Sequence, residues 1–93
     1  MTLCGGFSDE QQATEEIQSL IDSLQPEIES GRGAYKKFVA LSFRQQVVAG
    51  MNYVIDFRAE RENGEVVKLQ IKVFQPLPHT GQGPQLSGLS LLQ

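Results

Sequence analysis

The stretch Glu16-Ile17-Gln18-Ser19-Leu20-Ile21-Asp22-Ser23-Leu24-Gln25-Pro26-Glu27-Ile28 decides the fold. Ile17, Leu20, Ile21, Leu24 and Ile28 recur at three- and four-residue steps, the repeat that stacks side chains on one face of an α-helix. With Ala13 the pattern spans about Asp9 to Ser30, and acidic and amide side chains fill the opposite face. Two helix starts are open: Ser8 with Gln11 has capping-box spacing, and Thr14 precedes the carboxylates Glu15 and Glu16. Pro26 removes a backbone donor and crowds the carbonyl four residues earlier, so a bend or early stop near Leu24 is expected. Gly31 and Gly33 close the element. Each stripe residue, once buried, contributes about 1.5–3 kcal/mol of transfer free energy, so the helix needs a large apolar partner.

The rest of the chain supplies it. Val39, Leu41 and Phe43 alternate with Ala40, Ser42 and Arg44, and Tyr53, Ile55 and Phe57 alternate with Val54, Asp56 and Arg58. Period two marks half-buried strands. Asn63-Gly64 reads as a type I′ hairpin turn, and Val67, Leu69, Ile71 and Val73 return from it. Past Phe74 the glycines and prolines at Pro76, Pro78, Gly81, Gly83 and Pro84 predict a loop. Leu86, Leu89, Leu91 and Leu92 are compatible with a short edge strand. The expected class is α+β: one long N-terminal helix wrapped by a four- to five-stranded antiparallel sheet.

Composition bounds the function. At 93 residues, with 40% apolar and 20% charged residues, the chain suits one compact domain. A net charge of −3 argues against affinity for nucleic acid or anionic lipid, and neither partner is expected. Lys36-Lys37 beside Arg32 reads as the solvated entrance to a strand. No run approaches a membrane span, no secretory signal opens the chain, and a single cysteine, Cys4, suits a reducing compartment. A cytoplasmic protein is expected.

A catalytic or metal site needs convergent groups. Cys4 lies in a glycine-rich arm and His79 in a distant loop, too loosely joined to serve as thiolate and base. One cysteine and one histidine fall short of a zinc site, and Glu60, Glu62 and Glu65 read as a solvated hairpin tip. Gly31 and Gly33 lack the strand and helix that frame a phosphate loop. No enzyme activity, metal or cofactor is expected.

What stands out is Gln46-Val47-Val48-Ala49-Gly50, uncharged and largely apolar where one strand must reverse into the next. Two readings are open: the valines continue the strand with Gly50 at the turn, or they form a contact surface. The pentapeptide resembles the signature hairpin of the cystatins, and its surroundings resemble the stefin, or type 1, branch. Cys4-Gly5-Gly6, Ala13-Thr14, Asn52-Tyr53 and Val73-Phe74-Gln75 followed by Leu77-Pro78-His79 fall in the stefin order from about Leu3 to His79. Leu77-Pro78-His79 stands where secreted cystatins usually carry Pro-Trp. The Gly- and Pro-rich sequence after His79 departs from the usual stefin tail.

Two adjacent glycines and no periodic pattern predict a flexible arm over 1–7; the resemblance implies one cystatin-like domain over 1–93, from which the short C-terminal segment over 80–93 departs. It implies reversible, tight-binding inhibition of papain-like cysteine proteases such as cathepsins. Leu3, Cys4, Gly5 and Gly6 would take the non-primed side of the cleft, Gln46, Val47, Val48, Ala49 and Gly50 the walls beside the catalytic cysteine, and Leu77, Pro78 and His79 the primed side. Few rotamers are frozen in such loops, and about 800 Å² per partner is the usual size of a protease–inhibitor contact. An apolar hairpin buries no ion pair, so this contact should depend weakly on salt. The chain is expected mainly as a monomer, with a domain-swapped dimer as a second form if the β-branched Val47-Val48 pair strains the reversal and the hairpin opens. The alternative is a non-inhibitory cystatin-fold module for interaction or self-assembly.

Gly5→Glu is expected to weaken inhibition, because it puts a side chain at a close approach and a charge into an apolar cleft. Unchanged inhibition of papain by the variant contradicts that placement of the arm.

Overall fold

The computed structural model describes residues 6–92. The elements are β1 (Gln11–Gln12), α1 (Glu15–Ser23), α2 (Gln25–Arg32), β2 (Lys37–Val48), β3 (Gly50–Glu60), β4 (Val66–Pro76) and β5 (Gln85–Leu91), with a short 3-10 turn over Pro78–Thr80. The five strands form one antiparallel sheet in sequence order. The helices cover one face of it, giving the expected α+β architecture.

The helical segment departs from the expected single helix at its start, and it divides near Leu24 as Pro26 leads one to expect. It starts at Thr14, whose Oγ1 accepts from the Ile17 N–H at 3.3 Å, so the Thr14 start prevails over the Ser8 one. Gln11 and Gln12 leave the helical pattern because they pair with Phe43 and Ser42 as a short strand, a tertiary contact that overrides local propensity. At Leu24 the chain breaks into α2, with Pro26 in the first turn, where its missing N–H costs nothing. The buried stripe runs on across the break through Ile17, Ile21, Leu24 and Ile28.

That stripe meets Ile55, Phe57, Ala59, Leu69, Ile71 and Val73 from the two central strands. Phe57 is fully buried, and Phe38 packs edge-on against it at 5.0 Å between centroids. The expected alternation of Val39, Leu41 and Phe43 gives way in β2. A register shift between Ala40 and Ser42 turns Leu41 outward and brings Phe38 and Phe43 onto the inner face together.

The outer edge of β2 is protected residue by residue. The Gln18 amide donates to the Phe38 carbonyl at 2.9 Å and accepts from the Ala40 N–H at 2.8 Å, imitating a neighbouring strand. The Ala13 N–H reaches the Leu41 carbonyl at 3.1 Å, and β1 covers Ser42 and Phe43. Ser8 completes the row at Gln45: its N–H donates to the Gln45 carbonyl at 2.8 Å, and its Oγ accepts from the Gln45 N–H at 3.1 Å.

The far end of the sheet is tied by Arg61. Its guanidinium lies 4.3 Å from the centre of the Tyr35 ring, donates to the Arg32 carbonyl at 2.7 Å and pairs with Glu65 at 3.1 Å. Nearby, hydrogen bonds from Gln25 and from the Tyr35 N–H hold the Glu29 carboxyl below its ordinary pKa. The Asn63-Gly64 reversal is not type I′, because Asn63 keeps a negative φ. The Gly64 N–H bonds to the Arg61 carbonyl at 3.0 Å and only Gly64 is left-handed, the pattern of a three-residue turn with a glycine bulge. After the Pro- and Gly-rich loop, residues 85–91 form the edge strand β5 on β4.

Gln18→Ala removes both partners of the Phe38 carbonyl and the Ala40 N–H and is expected to cost about 1–3 kcal/mol. Urea denaturation checks it; an unchanged midpoint means that water replaces the amide without loss.

Candidate functional site

Gln46 to Gly50 form the reversal between β2 and β3. The backbone of Val47 and Val48 continues β2, and no residue other than glycine has positive φ among the described residues. Val47 is nevertheless 72% exposed and Val48 40% exposed. The two readings of this segment therefore both hold: strand in its backbone, free surface in its side chains. Neither valine takes a positive φ; Gly50, with φ +126°, takes up the reversal.

Gly50 also fixes the neighbouring segment. It is buried, and a Cβ there would lie 2.5 Å from the Gln75 carbonyl oxygen and 3.1 Å from the Phe74 ring. Register pairs Gly50 with Pro76 and Met51 with Gln75, so the exit of β4 runs beside the valine hairpin. Leu77, Pro78 and His79 follow directly and are exposed, Leu77 at 39%. Their loop is built rather than loose: the Thr80 hydroxyl and N–H both donate to the Leu77 carbonyl, at 2.8 and 3.1 Å, and Gly81 closes the turn in the left-handed region.

The Ser8–Gln45 clamp brings the root of the arm to the same end. Gly6 and Phe7, both exposed, precede it beside the last residues of β2. Leu3, Cys4 and Gly5 lie outside the described residues. Of the expected contact residues, Gly6, Gln46 to Gly50 and Leu77 to His79 thus meet at one end of the sheet, a wedge of three segments without a formal charge when His79 is neutral.

Phe7, Ser8 and Asn52 join this end. Phe7, 46% exposed, walls a shallow depression of about 330 Å³ on the outer sheet face with Gln46, Asn52, Val54, Lys72 and Ser87. Asn52 donates its side-chain N–H to Gln46 Oε1 at 2.8 Å across the hairpin. An aromatic residue directly after two glycines was the one available signal for Phe7; the clamp of Ser8, 37 residues from its partner, had none. Behind the hairpin, a groove of about 700 Å³ opens between the first turn of α1 and Phe43, Gln45, Tyr53 and Gln75. Burial, and then the Glu16 carboxylate, push the Tyr53 phenol up, so it stays neutral. Among the described residues no group of three His, Cys, Asp or Glu side chains could hold a metal ion. The arrangement is suited to contact.

Gly50→Ala forces a Cβ against the Gln75 carbonyl at a positive φ and is expected to cost about 1–3 kcal/mol while displacing the 77–79 loop. Chemical denaturation measures the cost; a variant as stable as the parent contradicts the close approach.

A family model described as Cystatin domain matches residues 5–87. Stefin-C of Bos taurus is 42% identical over 76 residues, covering 81% of this chain and 71% of its own length. Leukocyte cysteine proteinase inhibitor 1 of Sus scrofa is 38% identical over 87 residues, 92% of this chain and 81% of its own. Cystatin-A of Homo sapiens is 38% identical over 85 residues, 90% of this chain and 83% of its own. A sheet with helices on one face, an uncharged three-segment end and these matches agree: the chain belongs to the cystatin family, in its stefin branch.

Proposed function

We propose that this chain is a reversible, tight-binding inhibitor of papain-like cysteine proteases such as cathepsins. It blocks the active-site cleft with the arm Leu3 to Gly6, the hairpin Gln46 to Gly50 and the loop Leu77 to His79. The observation that carries this reading is the pair of exposed valines on a rigid hairpin, locked by Gly50 against the strand that leads into the second loop. A relative named as a cysteine proteinase inhibitor, similar over most of the chain, supports it.

The physical case rests on preorganisation. Apolar side chains on a fixed backbone bury area with little loss of rotamer freedom, so their burial is retained as affinity. The wedge works by occupying the cleft. The chain acts mainly as a monomer in the cytoplasm. A domain-swapped dimer, as a second form, would have to open the β2–β3 hairpin. No helix among the described residues is long and apolar enough to cross a membrane.

Titration of papain and of a cathepsin with the chain, and with a form truncated before Gly6, tests the proposal. Inhibition by the full chain that weakens on truncation is the expected result. Val47→Asp should weaken it at least about tenfold, since a carboxylate without a partner enters an apolar cleft. Full activity of both proteases at saturating protein favours the non-inhibitory interaction or self-assembly module instead.

A further inference from the structure

The net charge of −3 hides a separation. Seven of the eleven acidic residues and none of the eight basic ones lie in residues 1–31, so the remainder carries eight positive against four negative charges. The fold turns this asymmetry into two faces. Glu15, Glu16, Asp22 and Glu27 are exposed on the helices. Alternation in the strands sends Arg44, Arg58, Lys68 and Lys72, together with Asp56 and Glu60, to the opposite, outer face of the sheet, away from buried Phe43, Phe57, Leu69, Ile71 and Val73.

Arg58 and Lys68 stand directly opposite each other across β3 and β4, a like-charge pairing that costs stability. Glu60 approaches Arg58 at 3.7 Å and Lys37 at 3.8 Å. Arg44, Lys68 and Lys72 make no ion pair among the described residues. Arg44, Val54, Lys72 and Gly88 form one row across four strands, with the Lys72 stem passing 3.5 Å from where a Cβ on Gly88 would stand. The adjoining row is Gln46, Asn52, Phe74 and Gln85, which borders the wedge. Rows on one face lie two residues apart, about 7 Å. Lys72 also walls the depression beside Phe7.

We propose that this outer face is a second contact surface, on which Arg44 and Lys72 engage an acidic patch bordering the cleft of the target protease and speed its capture. The inference rests on the inhibitory reading above and names the kind of protease it favours. Two observations select the partner. The row is continuous with the wedge, so a seated wedge brings it within about 8 Å of enzyme surface, the screening length at physiological salt. Its charge complements an acidic surface, while the acidic residues of the helices lie on the other face of the sheet, Glu15 and Glu16 in the groove behind the hairpin. The wedge itself stays insensitive to salt; the sheet behind it supplies a salt-dependent association rate.

The test is stopped-flow association of the full chain with a cathepsin that is net negative at the assay pH, at ~0.01 M and ~1 M ionic strength, where the screening length falls from about 30 to about 3 Å. The double variant Arg44→Glu/Lys72→Glu is compared with Lys36→Glu/Lys37→Glu, which makes the same charge change at the far end of β2. Thermal unfolding of each variant confirms the fold. The expected result is association slowed about tenfold or more by the first variant at low salt, little changed by the second, and converging at high salt. Equal slowing by both variants, or by neither, overturns the second surface while inhibition by the parent chain stands. Absence of inhibition by the parent chain overturns both readings.

Discussion

Burial of Ile17, Ile21, Leu24 and Ile28 on the inner face of the sheet is the constraint on which the rest of the structure depends. A helix of this length is marginal alone and forms because its stripe finds Ile55, Phe57, Leu69 and Ile71. Seating α1 there brings Gln18 to the open edge of β2, and the chain before α1 can then run along that edge as β1 and the Ser8 clamp. One packing event thus orders the core, covers an otherwise sticky strand and sets where the arm begins.

The same geometry makes the working end. Strand order follows sequence order, so the β2–β3 reversal and the exit of β4 are neighbours, and Gly50 closes the space between them. Stability and surface are divided between elements: Gly50 and Pro76 are buried, while Val47, Val48 and Leu77 are left bare. An apolar surface held open by a buried glycine loses little freedom on binding, which is what an occluding inhibitor requires.

The helix stripe and the period-two strands were legible because each rests on a local repeat that only one face of the core can satisfy. The helix start was not, because Gln11 and Gln12 answer to Phe43 and Ser42 rather than to their own neighbours. The outward turn of Leu41 is hidden for a related reason: a bulge shifts the period without leaving a mark in the residues around it. The Asn63-Gly64 reversal was found, but its type depends on Arg61 bonding to Gly64 and Glu65. At the site, the uncharged run Gln46 to Gly50 announced itself and the family resemblance supplied the outer segments. The charge division between helices and sheet was countable in the sequence, yet its meaning required knowing that the two lie on opposite faces.

Inhibition as proposed requires one end of the sheet, formed by three segments, to enter the protease cleft. Amide hydrogen exchange of the chain with and without papain tests it most directly, since contact slows exchange where water is excluded. Protection is expected to be gained at Val47 to Met51 and at Leu77 to Gly81, with none at the opposite hairpin, Arg61 to Glu65. Protection concentrated at that far hairpin or on the helices, with the valine hairpin unchanged, would contradict it.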